Sequence, residues 1–341
     1  MKKKRIAIAG CTGHVVKFGQ LINSFEESET VAVWDRETER GRKVAEELNC
    51  PFVEDYDDLL SEYHPDAVAI IAENSFKPDL IIKAANQGIS VFVEKPMCVN
   101  PCDAYAIRCV IKKNNVKFFM TDPFVRKGLI KIKELIKEGC LGEVREANFR
   151  IGQKVRPENM ERMLNHPELY QGGIMADVGG HAIHMAHYLF GKPESLSAVL
   201  TYENSVAEEK GIENKAVITM VYPQQLTAVL ECSWVSVGKN DRAIVYGTKA
   251  SAEVVKLSNT EGDESVAIYR NDGSEIITEF DHTPVRHIRY FVEMLVNDYD
   301  NSIVGVDPHS NSGVSIDNAV EFVEIIDAIY RSTSDGRMVS L

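Results

Sequence analysis

Short apolar runs alternate with amphipathic stretches through the first third of the chain. Arg5–Ala9 is an apolar run that ends in the turn Gly10-Cys11-Thr12-Gly13, and Val15–Phe25 follows with Phe18, Leu21, Ile22 and Phe25 on one helical face. Thr30–Trp34 is rich in β-branched residues and stops at Asp35, whereas Glu37–Leu48 and Tyr56–Tyr63 have helical periodicity. Asp66–Ala72 is apolar almost throughout, the pattern of a strand covered on both faces. Lys77–Gln87 predicts a helix stopped by Gly88, Ser90–Val93 a strand, Asp103–Asn114 a helix and Val116–Met120 a last strand. Regular alternation of helices with wholly apolar strands predicts an α/β domain, a doubly wound parallel sheet over residues 1–122.

Beyond that point the pattern changes. Helical periodicity covers Arg126–Glu138, a strand follows at Val144–Ile151, and a helix is expected around Met175–Phe190. Strand patterns then recur at Leu196–Tyr202, Lys215–Tyr222, Leu226–Val235, Ala243–Tyr246, Ala252–Leu257, Val266–Tyr269 and Ile276–Phe280. Turn signals without intervening helices predict an open, mostly antiparallel sheet, so residues 123–341 read as an α+β domain closed by helices at Val285–Tyr299 and Gly313–Ser332. The strands Ala216–Val221 and Ala228–Val235 are apolar enough that one face of this sheet calls for a partner, hence a homodimer or homotetramer.

Composition narrows the function. At roughly 100–200 residues per domain, 341 residues suit two domains. The chain carries 38 basic and 51 acidic residues, a net charge of −13, which argues against binding to nucleic acid or to an anionic membrane. Seven scattered cysteines, an odd number, point to reduced thiols and a cytoplasmic protein. Met1–Arg5 ahead of Ile8-Ala9-Gly10-Cys11 imitates a lipoprotein signal, but the apolar stretch Ile6–Ala9 falls short of the roughly 7–15 residues such a signal needs.

Two groups of residues carry chemistry. Gly10-Cys11-Thr12-Gly13-His14-Val15 joins the first strand to the first helix, where a dinucleotide pyrophosphate meets bare backbone and a helix N-terminus. Read as G-x-G-x-x-G it keeps only its first glycine, with Thr12 and Val15 at the other two places. Asp35 lies 22 residues past Gly13, close to the offset of about 20 for a carboxylate on the adenosine ribose. That carboxylate favours NAD over NADP, although Arg36 beside it offsets the charge and leaves NADP open. The second group is Glu94-Lys95-Pro96 with the later run Gly172-Gly173-Ile-Met-Ala-Asp177-Val-Gly-Gly-His181-Ala-Ile-His184. Asp177 and His181 are four apart and share a face if that stretch is helical. Without further context the same residues read as a surface lysine before a turn proline and a buried, hydrogen-bonded histidine.

These motifs resemble the Gfo/Idh/MocA family of NAD(P)-dependent sugar and polyol oxidoreductases. The resemblance runs over nearly the whole chain and includes Leu141-Gly142-Glu143-Val144, Tyr246-Gly247-Thr248 and the stretch Asp327–Leu341. It implies a Rossmann N-terminal domain and a transfer of hydride between nicotinamide and a secondary alcohol or ketone of a sugar, inositol or related polyol. Gly10, Thr12, Gly13, His14, Asp35, Arg36, Asn74, Glu94 and Lys95 would then hold the cofactor. His181 would be the general base, Asp177 its orienter or a substrate ligand, and Lys95 the cation on the reacting oxygen, set by a cis bond to Pro96. Lys95, Arg156, Asp177, His181 and His184 would bind the substrate, and no metal is expected.

The chain also departs from the family. His184 stands where relatives often carry Asp, and Ala72-Glu73-Asn74-Ser75-Phe76 replaces Thr-Pro-Asn-x-x-His, keeping only Asn74. The segment Arg156–His166 reads as a polar loop, solvated or lining the pocket. Three rival readings stand beside the dehydrogenase: a metal held by Asp177, His181 and His184, a non-redox sugar lyase or hydrolase on the same fold, and a non-catalytic sugar or cofactor sensor. A serine or cysteine hydrolase ranks below these, since no G-x-S-x-G occurs and the cysteines lie on strands and helices without a sequence-evident partner.

Overall fold

The computed structural model describes residues 2–122, 125, 127–238, 241–255, 264–279, 287–297 and 313–341. The boundaries expected at Arg126, Leu257, Phe280, Val285 and Tyr299 lie outside the described residues. By contacts the chain forms two compact units. In the first, the strands are β1 (Lys4–Ala9), β2 (Ser28–Trp34), β3 (Phe52–Val53), β4 (Ala67–Ile70), β5 (Ser90–Glu94) and β6 (Phe118–Thr121). Between them run α1 (Val15–Ser24), α2 (Thr38–Leu48), α3 (Tyr56–Tyr63), α4 (Lys77–Asn86) and α5 (Pro101–Asn114). The six strands are parallel, and their order, β6-β5-β4-β1-β2-β3, reverses direction next to β1. In such a sheet ligands bind beyond the carboxyl ends of the strands at the point of reversal, which here is the β1–α1 turn.

The second unit contains α6 (Lys127–Lys137), β7 (Val144–Gly152), α7 (Pro157–Asn165), α8 (Pro167–Tyr170), α9 (Gly180–Phe190) and α10 (Ser205–Glu209). Its further strands are β8 (Ser195–Thr201), β9 (Lys215–Val221), β10 (Thr227–Ser233), β11 (Arg242–Gly247), β12 (Ser251–Val255), β13 (Ser265–Arg270) and β14 (Gly273–Ile277). The chain ends with α11 (His287–Asn297), the two-residue strand β15 (Gly313–Val314), α12 (Ile316–Asp335) and β16 (Val339–Ser340). The second sheet runs β14-β13-β12-β11-β7-β10-β9-β8-β16, and every neighbouring pair is antiparallel except β7 with β10. Helices α6 and α9 pack against it, α9 on β7 and β10 and α6 on β12 and β13.

Two local expectations change. Arg156–His166 is a helix, α7, rather than a loop, because Pro157 supplies a preset first turn and Met160 and Met163 bury on one side of an otherwise charged segment. The C-terminal chain also does not stay with the second sheet. Helix α11, β15 and α12 as far as Val323 join the first unit, where β15 adds an antiparallel edge beside β6. The reason is apolar: Phe291 of α11 packs 5.5 Å from the ring of Phe92 on β5, itself stacked on Phe119 of β6 at 5.6 Å. Burying one such ring is worth about 1.5–3 kcal/mol.

Candidate active site

The phosphate turn is built by close packing. Gly10 has φ +84°, and a Cβ there would lie 2.6 Å from the Cα of Ala72, so the turn sits directly on the loop after β4. The Thr12 amide and hydroxyl both donate to the Ile71 carbonyl, at 3.1 and 2.9 Å, which folds that side chain back onto the β4 end. Gly13, φ +53°, and His14 are exposed, and α1 begins at Val15 without an acidic residue in its first turn. An exposed helix start with bare backbone and no acidic residue in its first turn fits a pyrophosphate. Cys11 lies buried in the same turn; burial, aided by nearby Asp35, pushes its thiol well above the usual range and keeps it neutral.

Asp35 closes β2, and its side chain is fully buried. Its oxygens accept from the Cys11 amide at 2.5 Å, the Glu37 amide at 2.6 Å, and Nε and Nη2 of Arg40 at 3.1 and 2.8 Å. The same guanidinium donates through Nη1 to Glu73 at 3.0 Å. Burial works against the charge of Arg40, but Asp35 and Glu73 outweigh it and hold the group above its ordinary value. Arg36, by contrast, is exposed and lies over the Phe76 ring at 4.8 Å. The carboxylate expected on the ribose is therefore already held in an ion-pair network, and neither Arg40 nor Glu73 was singled out by the sequence.

On the neighbouring strands, Lys77 at the start of α4 is 2% exposed. Its ammonium donates to the Glu94 and Pro96 carbonyls, both at 2.9 Å, and to Oδ1 of Asn74 at 3.1 Å. The Lys95–Pro96 bond is cis and the Lys95 side chain is half-buried. Lys77 thus fixes the backbone that carries Glu94 and Lys95, and ties it to Asn74. Lys77 stands where the family pattern has its histidine, and that substitution was the only sequence signal pointing to it.

In the second unit Glu213, just before β9, is fully buried. Its carboxylate accepts from the amides of Gly173 at 3.0 Å and Met175 at 2.8 Å, and from the Tyr330 hydroxyl at 3.1 Å. Burial raises this carboxyl, while those same donors pull it back. Burial and the facing Glu213 raise the Tyr330 phenol, which therefore remains the donor. A Cβ on Gly173 would lie 2.1 Å from the Glu213 carbonyl oxygen, so only glycine permits this approach. Glu213 was not singled out by the sequence either.

Past this anchor the chain makes a π-helical turn, Met175–Gly179, before α9. The expected continuous α-helix from Met175 is corrected accordingly: the Gly179 amide bonds back to Ile174, five residues away, where the backbone comes close to the side chain of Met175. Asp177 lies on this turn and is exposed, whereas His181, His184 and His187 lie on α9 and are buried. Among the described residues no three His, Cys, Asp or Glu side chains are grouped as a metal site. Arg156 is exposed at the start of α7, 3.7 Å from Glu158.

Comparison with known proteins matches both units. Residues 4–122 match the oxidoreductase family with an NAD-binding Rossmann fold, and residues 129–253 match the GFO/IDH/MocA C-terminal domain. The chain belongs to the GFO/IDH/MocA family. It is 24% identical to a D-xylose 1-dehydrogenase (NADP(+)) of Haloferax volcanii over 92% of this chain and 93% of that one. It is 26% identical to a scyllo-inositol 2-dehydrogenase (NAD(+)) of Bacillus subtilis over 87% of each. A 2,7-anhydro-N-acetylneuraminate hydratase of Mediterraneibacter gnavus is 27% identical over 74% of this chain and 68% of its own. In fold it is similar to the aldose-aldose oxidoreductase of Caulobacter crescentus, TM-score 0.82 at 22% identity, with each chain covered completely. The protein is thus a member of an oxidoreductase family with an NAD-binding Rossmann fold. Among the described residues no helix is long and apolar enough to cross a membrane.

Proposed function

We propose that the protein is a dehydrogenase or reductase of a sugar, inositol or related polyol, interconverting a secondary alcohol and a ketone. The observation that carries this reading is Lys95, placed at the end of β5 with its backbone held by the buried ammonium of Lys77. Gly10, Thr12, Gly13, His14, Asp35, Arg36, Asn74, Glu94 and Lys95 would hold the dinucleotide, which would supply the two-electron acceptor or donor. Lys95 hydrogen-bonds the reacting oxygen and stabilises the alkoxide charge that develops there. His181 takes the hydroxyl proton, with Asp177 orienting the ring or a substrate hydroxyl. Arg156 and His184 contact the remainder of the substrate. The known dehydrogenases of xylose and inositol among its relatives support this substrate class.

The sheet of the second unit supports self-association. Val199 on β8 and Val217 on β9 are paired neighbours and are 62% and 43% exposed, apolar positions that a second copy would cover. A homodimer or homotetramer through this face is the assembly we infer.

A screen of sugars and inositols with NAD and NADP, read by nicotinamide absorbance, tests the reaction. Turnover with one polyol or its ketone is expected. The hydratase relative favours a second reading, a non-redox sugar lyase or hydrolase on the same fold, with no net oxidation or reduction. Product formed by gain or loss of water with no net absorbance change would select that reading and overturn the first.

A further inference from the structure

Glu73 follows β4 in the loop that packs on the phosphate turn, and its side chain is 2% exposed. Nothing apolar in that loop calls for a buried carboxylate, and desolvating one is costly unless a cation faces it. The cation is Arg40, whose Nε and Nη2 hold Asp35 and whose Nη1 holds Glu73 at 3.0 Å and approaches Glu37 at 3.4 Å. Arg36, the second cation, leans on Phe76 and lies 3.5 Å from Glu37. Among the described residues, three carboxylates, Asp35, Glu37 and Glu73, thus face the two guanidinium groups of Arg40 and Arg36. Lys77, four residues beyond Glu73, directs its ammonium at the end of β5 instead.

The carboxylate at the end of the second strand is where a dinucleotide fold meets the adenosine ribose, and a nearby arginine is what accommodates a 2′-phosphate. Arg40 is in place for that role, but three carboxylates claim its donors. We propose that Glu73 is a specificity-determining residue which, as the second counter-ion of Arg40, withholds the guanidinium from a 2′-phosphate and sets the adenosine end for NAD. This rests on the dinucleotide reading of the β1–α1 turn and adds to it the residue that selects between the two cofactors. Glu73 acts through charge, so removing its charge relaxes the selection without damaging the adenosine site.

The test is a titration of the full-length protein with NADH and with NADPH, followed by the emission of Trp34, which adjoins Asp35. Wild type binds NADH more tightly. Glu73→Gln lowers the ratio of the NADPH to the NADH Kd by about tenfold or more, the scale expected when a unit charge within ion-pair range of a dianion is removed. Glu73→Ala shifts the ratio the same way and serves if the glutamine variant melts early. Glu54→Gln, which removes an exposed partner of Arg42, leaves the ratio unchanged. An unchanged ratio in both Glu73 variants, equal weakening of both cofactors, or a wild type that already prefers NADPH would each overturn the proposal. Saturation by neither cofactor in the wild type would instead overturn the dinucleotide reading, and the proposal with it.

Discussion

Asp35 shows how one side chain can keep its place in a pattern and still hold a partner that the pattern does not name. Its distance from Gly13 and its position after a β-branched run mark it in the sequence as a ribose ligand. What the sequence does not show is that Arg40, in the first turn of α2, folds back to hold both of its oxygens. Spacing along a chain names a position, while the partner that fills it comes from another element. Lys77 was hidden for a similar reason. A lysine ahead of a proline at a helix start reads as solvent-exposed, and only the fold brings the Glu94 and Pro96 carbonyls round it. Replacing Asp35 by Asn leaves Arg40 with less of its counter-charge and turns an amide N–H toward a guanidinium. Breaking a fully buried pair costs about 3–5 kcal/mol, and because the Arg40 side chain is 19% exposed the expected loss here is about 2 kcal/mol. For a unit of this size that lowers Tm by roughly 4–8 °C, which differential scanning calorimetry would register.

At the scale of the element, glycine positions separate backbone need from packing need. Gly13 has a left-handed φ, but a Cβ there meets nothing within 4 Å, so Gly13→Ala costs only the strained conformation, about 1 kcal/mol. Gly173 lies against the Glu213 backbone, where a Cβ would overlap the carbonyl oxygen, and the segment must move to admit it. Gly173→Ala is expected to destabilise by about 2–4 kcal/mol and to cut turnover, since the displaced segment leads to Asp177 and His181. Denaturant melts of the two variants, run side by side, would check the contrast. The run Gly172-Gly173…Asp177…His181 was legible as a motif. The π turn inside it was not, because hydropathy periodicity over five residues does not distinguish it from an α-helical turn.

The whole molecule was legible in its two sheets and less so in its return. Wholly apolar strands foretold the parallel sheet, and successive strand patterns separated by turn signals, with no helices between them, foretold the second. The crossing of α11 and the first part of α12 back to the N-terminal unit had no local signal, because an amphipathic helix does not state which core it covers. The two-residue strands β3, β15 and β16 are too short for any period to appear. The apolar positions on β8 and β9 bear on assembly. Val217→Glu introduces a charge on the face proposed to be shared, so light scattering is expected to give the mass of a single chain, with Tm of the isolated unit little changed. An oligomer of undiminished mass would place the contact elsewhere.

The central claim is that Lys95 stabilises charge on the reacting oxygen while other residues hold the cofactor. The most direct measurement compares wild type with Lys95→Ala, once a substrate is identified, in both turnover and NADH affinity. The account predicts a fall in kcat of about a hundredfold or more, the scale seen when one donor to a developing oxyanion is removed, with the NADH Kd changed by less than about threefold. Turnover left intact by Lys95→Ala would contradict it.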